Sequence, residues 1–149
     1  MHHASLIMAA KIFIIGGGQF GEPLAKELRR AGAEVTVADR NPARVQILQE
    51  SGLSAIPLDA TDEAAIARSA ALTSDLVVIS TGSSVQAGIY AALLLKHLKV
   101  RRVLACASDE KCARLLTHIG AEVVSPSPTA IRDLVKQLTV HAAAPSRID

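Results

Sequence analysis

The sequence is poor in aromatic residues, in cysteine and in net charge, and each shortage excludes a class of protein. Its 149 residues include two phenylalanines, one tyrosine and no tryptophan, so it lacks the rings on which single-strand and RNA readers stack bases. Sixteen basic and fourteen acidic residues give a net charge of +2, too small for a protein that binds nucleic acid through its phosphates. Two cysteines do not form a disulfide scaffold, and a reducing cytoplasm is the default compartment for such a chain.

Long apolar runs are also lacking. The longest uncharged apolar stretches, such as residues 88–95, fall well short of the roughly 20 residues that span a bilayer, so we expect no direct insertion into a membrane. The run MHHASLIMAA is too short in its apolar part for a signal peptide, and we interpret residues 1–10 as an N-terminal extension or a vector remnant. Half of the chain is nevertheless hydrophobic, and the length fits one domain.

Short apolar, β-branched runs alternate along the chain with longer segments of helical period, which is the pattern of a parallel α/β sheet. Several runs are apolar at successive positions, as expected for strands covered by helices on both faces. In the fourth helix Ile89, Ala92, Leu93 and Lys96 recur at spacings of three and four, which predicts a buried stripe with a solvated end. Residues 139–149 lose the pattern and are predicted to form a C-terminal tail. We predict strands at 11–15, 34–38, 54–58, 75–80, 101–106 and 122–125, and helices at 19–31, 42–50, 63–69, 84–97, 110–118 and 128–138.

The most specific pattern is IIGGGQFG, in which Gly16, Gly18 and Gly21 match G-x-G-x-x-G between a predicted strand and a predicted helix. In that context the first glycine permits the tight turn and the second lets the backbone approach a pyrophosphate. The third lets the helix pack closely on the strand. Backbone amides and the dipole at the helix start would then offer an anion site.

An acidic residue follows the glycine loop at the expected distance. The second predicted strand leads into Asp39, eighteen residues after Gly21, where a carboxylate accepts hydrogen bonds from ribose hydroxyls and repels a 2′-phosphate. Arg40 comes next and softens that repulsion, so the pattern leans towards NAD over NADP. The alternative is a packing turn that holds no ligand, with Asp39 capping the helix that begins near Pro42.

Five segments together resemble the RCK domain, also called the KTN or TrkA-N domain. The resemblance runs from about residue 11 to residue 138 and is closest to the Ktr and Trk potassium-uptake regulatory proteins. It implies a Rossmann-like N-lobe, a three-layer doubly wound parallel sheet of order 3-2-1-4-5-6, in a cytoplasmic domain that forms homodimers or rings. It also implies that NAD(H) or an adenine nucleotide (AMP, ADP or ATP) regulates a partner, a membrane potassium transporter or channel subunit at the inner membrane. The segments are IIGGGQFG, VADRNPARVQIL, LDATDE, VVISTGSSVQAGIYAALLLKHLKV and LLTHIGAEVVSP.

The resemblance also implies a set of cofactor-binding residues. Without it, Asp59 and Thr61 are interpreted as turn and helix-cap residues. By position in the family motifs, the phosphate loop comprises Gly16, Gly18, Gln19, Phe20 and Gly21, and the ribose contacts are Asp39 and Arg40. The adenine is flanked by Asp59, Ala60 and Thr61, and the pocket is closed by Ser80, Thr81 and Gly82.

The chain departs from the Ktr-type pattern at three charged positions. Gln19 stands where Arg is common, Cys106 where a basic residue often ends the fifth strand, and Thr117 where some members have a cation-binding Glu. Because Gln lacks the charge-assisted, bidentate grip of Arg on phosphate, a dinucleotide or a monophosphate fits better than a triphosphate with a metal. Family regulators usually continue into a second lobe, so we expect a truncated chain or a single-lobe member that works with another chain.

The alternative function is enzymatic: a small NAD-dependent oxidoreductase, or the cofactor-binding half of one. A dehydrogenase needs a proton-transfer group set against the nicotinamide. Tyr90 is followed four residues later by Leu94 rather than Lys, and His97, His118 and His141 fall at predicted helix ends or in the predicted tail. We therefore predict a sensor with no catalytic residues; a vestigial oligomeric scaffold is the third possibility.

The cysteines give no sign of a metal site. Cys106 and Cys112 are six residues apart, which matches no zinc spacing, and no metal ligands are predicted. We interpret both as buried small hydrophobic residues, since a redox role would need an exposed thiolate of low pKa.

Overall fold

The computed structural model describes residues 10–82 and 84–143, and within them strands and helices alternate along the chain. The strands are β1 (Lys11–Ile15), β2 (Glu34–Asp39), β3 (Ser54–Pro57), β4 (Leu76–Ile79), β5 (Val103–Cys106) and β6 (Glu122–Val124). The helices are α1 (Gly21–Arg30), α2 (Pro42–Glu50), α3 (Glu63–Arg68), α4 (Val85–His97), α5 (Glu110–Ile119) and α6 (Pro128–Ala143), with a 3₁₀ turn at Ala70–Thr73.

The six strands form one parallel sheet in the order β3-β2-β1-β4-β5-β6. The chain winds outwards from β1 in one direction through β3 and then returns to add β4, β5 and β6 on the other side. Ile14 of β1 therefore pairs with Val37 of β2 on one side and with Val78 of β4 on the other. The predicted doubly wound, Rossmann-like order is confirmed, and its switch point lies between β1 and β4.

Helices cover both faces of this sheet and complete the three layers. Ile12 and Ile14 face one buried cluster, which includes Leu24 of α1. Phe13 and Ile15 face the opposite cluster, which includes Leu95 of α4. Because β1 is buried on both faces, its sequence is apolar at successive positions instead of alternating.

Polar side chains that follow the strands begin several of the helices. Asn41 accepts a hydrogen bond from the amide of Ala43, with Pro42 at the first helical position of α2. Asp62 and Asp109 cap α3 and α5 in the same way. These caps place the loops that line one edge of the sheet.

The observed elements differ from the predicted ones mainly at their ends. Asp75 precedes β4 instead of opening it, and its carboxylate accepts the amide hydrogen of Lys11 at 2.8 Å. The 3₁₀ turn was not predicted, and α6 continues to Ala143, five residues beyond the predicted helix end at 138. The predicted N-terminal extension and the end of the predicted tail fall on residues 1–9 and 144–149, outside the described residues.

The predicted stripe of α4 is wrong at one position. Leu93 is 48% exposed, whereas Ala92 is fully buried. The buried face runs through Gly88, Ala91 and Leu95, so it is rotated away from Leu93. None of the helices in the described part of the chain is both long and apolar enough to cross a bilayer.

Candidate functional site

A cleft of about 500 Å³ opens at the carboxyl ends of the strands, across the switch point between β1 and β4. Its position follows the rule for open parallel sheets, in which ligands lie outside the carboxyl ends of the strands where the winding reverses. Its volume falls in the range of small-molecule pockets. Eleven of the thirteen predicted site residues line it: Gly16, Gly18, Gln19, Phe20, Asp39, Arg40, Asp59, Ala60, Ser80, Thr81 and Gly82.

The first and third glycines of the motif are required by packing within the chain. Gly16 has φ +103°, and a Cβ there would lie 2.1 Å from the carbonyl oxygen of Ser80. A Cβ at Gly21 would lie 1.8 Å from the carbonyl oxygen of Gly16. Gly21 is therefore buried under the loop instead of lining the cleft. These contacts bring α1 against the end of β1, as the motif predicts.

The second glycine is different, because nothing in the chain requires it. A Cβ at Gly18 would have no heavy atom within 4 Å, and the residue is exposed at the cleft wall. The amides of Gly18, Gln19 and Phe20 donate to no acceptor among the described residues. They precede α1, whose N-cap Phe20 supplies no side-chain cap. The loop thus presents unpaired donors and the positive end of a helix dipole to an open space, which is the arrangement that binds anions.

Asp39 ends β2 beside this loop, and its carboxylate already accepts two backbone hydrogen bonds. One comes from the amide of Gly17 at 2.9 Å, and the other from the amide of Asn41, also at 2.9 Å. Asp39 does not cap the next helix, as the alternative of a ligand-free packing turn predicted, because Asn41 is the cap of α2. An ionised carboxylate has about four acceptor sites, so Asp39 retains capacity for ribose hydroxyls while it holds the loop.

Asp59 and Thr61 form a turn after β3. Asp59 Oδ1 accepts from the amide of Thr61 at 2.9 Å and from its hydroxyl at 2.7 Å. These two bonds, with the nearby charge of Arg40, lower the pKa of Asp59 although burial opposes the shift. The turn interpretation is confirmed, the cap of α3 is Asp62, and Thr61 does not line the cleft.

The opposite wall follows β4. The Ser80 hydroxyl is buried and donates to the carbonyl oxygen of Gly16 at 2.7 Å, so Ser80 joins β4 to the glycine loop. Thr81 donates to the carbonyl oxygen of Ser84 at 2.9 Å and lies against the α4 backbone at Gly88. The N-cap of α4 lacks a side-chain cap and also lies at the cleft.

Several wall residues were not predicted as site residues. Cys106 and Ser108 lie at the end of β5, and Pro126 follows β6. Cys106 is half-buried, and burial raises the pKa of its thiol to about 12. Burial and the carboxylate of Asp109 also raise the pKa of Cys112. Both thiols therefore stay protonated at neutral pH and lack the activation that a redox or nucleophilic cysteine needs.

The fold and the cleft agree with a comparison at the level of protein families. The sequence model of the TrkA-N domain matches residues 12–126, which span β1 to the segment after β6 and so include every predicted site residue. The chain belongs to the TrkA-N domain family.

Curated relatives of this TrkA-N domain are potassium uptake proteins. It is 28% identical over 143 residues to the Ktr system potassium uptake protein C of Bacillus subtilis, an alignment that covers 95% of this chain and 63% of the relative. It is 36% identical over 109 residues to the Ktr system potassium uptake protein A of Vibrio alginolyticus, covering 73% and 50%. The chain thus spans between half and two thirds of the relatives' length.

Solved structures establish the fold of this TrkA-N domain independently. The NAD(P)-binding domain of an exopolyphosphatase-related protein from Archaeoglobus fulgidus superposes with a TM-score of 0.71 at 23% identity, covering 92% of this chain and 99% of that one. The GsuK channel bound to NAD gives 0.69 at 20% identity, covering 77% and 21%. The Kef CTD of Shewanella denitrificans in its AMP-bound form gives 0.66 at 18% identity, covering 93% and 92%.

Proposed function

We propose that this TrkA-N domain is a cytoplasmic nucleotide sensor that regulates a membrane potassium transporter or channel. The observation that carries the proposal is the open glycine loop: Gly18 admits a ligand to the backbone, and three neighbouring amides have no acceptor among the described residues. The potassium uptake relatives support the physiological context. The NAD and AMP in the names of two structural neighbours support the class of ligand.

The charges of the cleft favour NAD(H) over a triphosphate. Among the described lining residues, Arg40 is the cation, and Asp39 and Asp59 are acidic. A triphosphate carries more negative charge than one guanidinium neutralises, whereas the pyrophosphate of a dinucleotide is matched by loop amides and a helix dipole. Asp39 disfavours the 2′-phosphate of NADP. The cleft also reaches from the end of β3 to the ends of β5 and β6, which suits a ligand with two nucleoside halves.

The chemistry of the same walls argues against the oxidoreductase alternative. The described lining residues include no His, Lys or Tyr, and the thiol of Cys106, with its pKa of about 12, is a poor proton donor at neutral pH. His, Lys and Tyr are the side chains that usually exchange a proton with a substrate beside a nicotinamide. We therefore assign the domain a binding function without turnover.

A sensor must also transmit the binding event, and we propose that it does so as a homo-oligomer. Tyr90 and Leu93 of α4 and Leu115 of α5 are 45%, 48% and 47% exposed. These exposed apolar side chains lie on two helices that contact each other, and we propose them as the surface of subunit contact. A nucleotide that binds one subunit arrangement more tightly than another would shift the population between them and so act on the membrane partner.

Thermal denaturation with NAD⁺, NADH, AMP, ADP and ATP tests the proposal. A ligand at 100 times its Kd adds about 2.7 kcal/mol, which raises the Tm of a domain of this size by roughly 5–10 °C. We expect the largest shift with NAD⁺ or NADH, and no turnover with either. An unchanged Tm across the whole panel would refute nucleotide sensing, and reduction of a substrate by NADH would favour the enzyme.

A further inference from the structure

The middle glycine of the loop, Gly17, is held at both of its polar backbone groups. Its amide donates to Asp39 Oδ2 at 2.9 Å, and its carbonyl oxygen accepts from Arg44 Nε at 2.6 Å. Gly17 is buried, and a Cβ there would lie 2.5 Å from Leu48 Cδ1. The residue next to the open position Gly18 is therefore fixed by a carboxylate on one side and a guanidinium on the other.

The other arm of Arg44 reaches α1. Its Nη2 atom forms an ion pair with Glu22 Oε1, and both side chains are largely covered, at 28% and 20% exposure. Lys26 Nζ approaches the second oxygen of Glu22 at 3.1 Å. Burial acts to raise the pKa of Glu22, but the hydrogen bonds and charges of Lys26 and Arg44 together lower it below the usual range. Glu22 is thus an ionised carboxylate in the first turn of α1, balanced by two cations.

The place of Arg44 in its own helix is unfavourable without these contacts. It lies in the first turn of α2, which contains no acidic residue, and a cation there opposes the helix dipole. Its neighbours on the exposed side, Ala43 and Gln46, offer no compensating charge. The position therefore makes physical sense through the partners of Arg44 on the glycine loop and α1.

We propose that Arg44 is a positioning residue for nucleotide binding, an inference that rests on the proposed function. Its Nε–H fixes the loop so that the amides of Gly18, Gln19 and Phe20 point into the cleft before the ligand arrives. Together with Lys26, Arg44 also offsets the charge of Glu22, which would otherwise repel a phosphate at the start of α1. Because an ordered loop loses less entropy on binding, this preorganisation increases affinity without any contact between Arg44 and the ligand.

Four proteins separate the two parts of this role: the wild type, Arg44→Met, Glu22→Gln and the double variant. Met keeps the aliphatic stem of Arg44 but donates no hydrogen bond, and Gln keeps an acceptor for Arg44 without the charge. Calorimetric titration with NAD⁺ should give about tenfold weaker binding for Arg44→Met and near wild-type binding for Glu22→Gln. The double variant should remain about tenfold weaker than Glu22→Gln, because the loop has lost its donor.

The matched control is Arg114→Met, which breaks an exposed i,i+4 pair with Glu110 on α5 and should leave the Kd unchanged. Wild-type affinity for Arg44→Met would overturn the proposal. Full recovery in the double variant would overturn the positioning part, since it would show that Arg44 acts only by screening Glu22. A fall in Tm with an unchanged Kd, measured well below that Tm, would likewise show a purely structural residue.

A ligand-free measurement separates failure of this inference from failure of the proposed function. If the wild type binds neither NAD⁺ nor AMP, nucleotide sensing fails, and amide hydrogen exchange still decides whether Arg44 holds the loop. We expect the Gly17 amide to exchange about tenfold faster in Arg44→Met than in the wild type, because its bond to Asp39 opens more often. An unchanged exchange rate would refute the inference that Arg44 holds the loop.

Discussion

Alanine at Gly18 should weaken nucleotide binding by at least tenfold without weakening the fold. The backbone at Gly18 needs no left-handed conformation, and the added methyl group would meet no atom of the chain within 4 Å. At such a position Gly→Ala stabilises a protein by about 0.4–1 kcal/mol, because the unfolded chain loses freedom. The variant should therefore unfold at the same urea concentration as the wild type or slightly above it.

The effect on binding follows from the position of the new methyl group. In the proposed complex it would occupy the space in which a phosphate oxygen approaches the loop amides, so at least one hydrogen bond to a charged group would be lost. Such a bond contributes about 1.5–3 kcal/mol, which corresponds to roughly 10- to 150-fold weaker binding of NAD⁺. Calorimetric titration and urea denaturation of the same preparation give the two quantities side by side.

Gly16→Ala is the contrasting variant. Its Cβ would collide with the Ser80 backbone at a φ of +103°, so stability should fall by several kcal/mol at roughly the scale of other strained or overpacked sites. If Gly18→Ala bound NAD⁺ as tightly as the wild type, the phosphate would not lie over this glycine and the assignment of the loop would be wrong. A large loss of stability in Gly18→Ala would refute the claim that the chain itself leaves this position free.

Three further predictions concern separate parts of the domain. Asp39→Asn should lower the free energy of unfolding by about 1–3 kcal/mol, since an amide nitrogen would face a backbone N–H. It should also raise the affinity for NADP⁺ relative to NAD⁺ in titrations. If the ratio of the two affinities were the same in the variant and the wild type, Asp39 would not belong to the ribose site. Burial raises the pKa of the Cys106 thiol to about 12 in the folded state, against an ordinary pKa of 9.0. The free energy of unfolding should therefore fall by ~1.4 kcal/mol per pH unit above pH 9, because the unfolded chain loses the proton first. In parallel urea titrations Cys106→Ala should show a shallower fall. Leu93→Glu should shift the protein to a smaller species in sedimentation velocity, whereas unchanged sedimentation would separate the exposed face of α4 from any subunit contact.

The order and type of the elements could be predicted from the sequence because the signals are local. Successive apolar residues in β1 indicate burial on both faces, and the G-x-G-x-x-G spacing places the first turn. Leu93 was assigned to the wrong face because α4 has Leu and Ala on several faces, and their spacing alone does not tell which face packs on the sheet. The 3₁₀ turn at Ala70–Thr73 was missed since it carries no periodicity of its own.

The roles of polar residues were harder to predict because their partners are distant in sequence. Asp39 was expected at the ribose, but that its carboxylate also holds the Gly17 amide, 22 residues earlier, depends on how β2 lies beside the loop. Arg44 has the sequence context of an ordinary solvated helix residue. Its Nε–H donates to the carbonyl oxygen of Gly17, 27 residues away, and no sequence motif predicts such a contact.

The Rossmann-like fold, the glycine loop and an acid at the nucleotide-binding spacing all follow from local sequence patterns, because hydrophobic period and glycine position are properties of neighbouring residues. The packing of the folded chain leaves only one of the three motif glycines with free space at the cleft. Gly16 packs closely against Ser80, and Gly21 packs closely against Gly16. Of the three, only Gly18 has open space where a side chain would begin. That distinction arises only when β4 and α1 are packed against the loop, since steric freedom is set by the atoms that surround a residue.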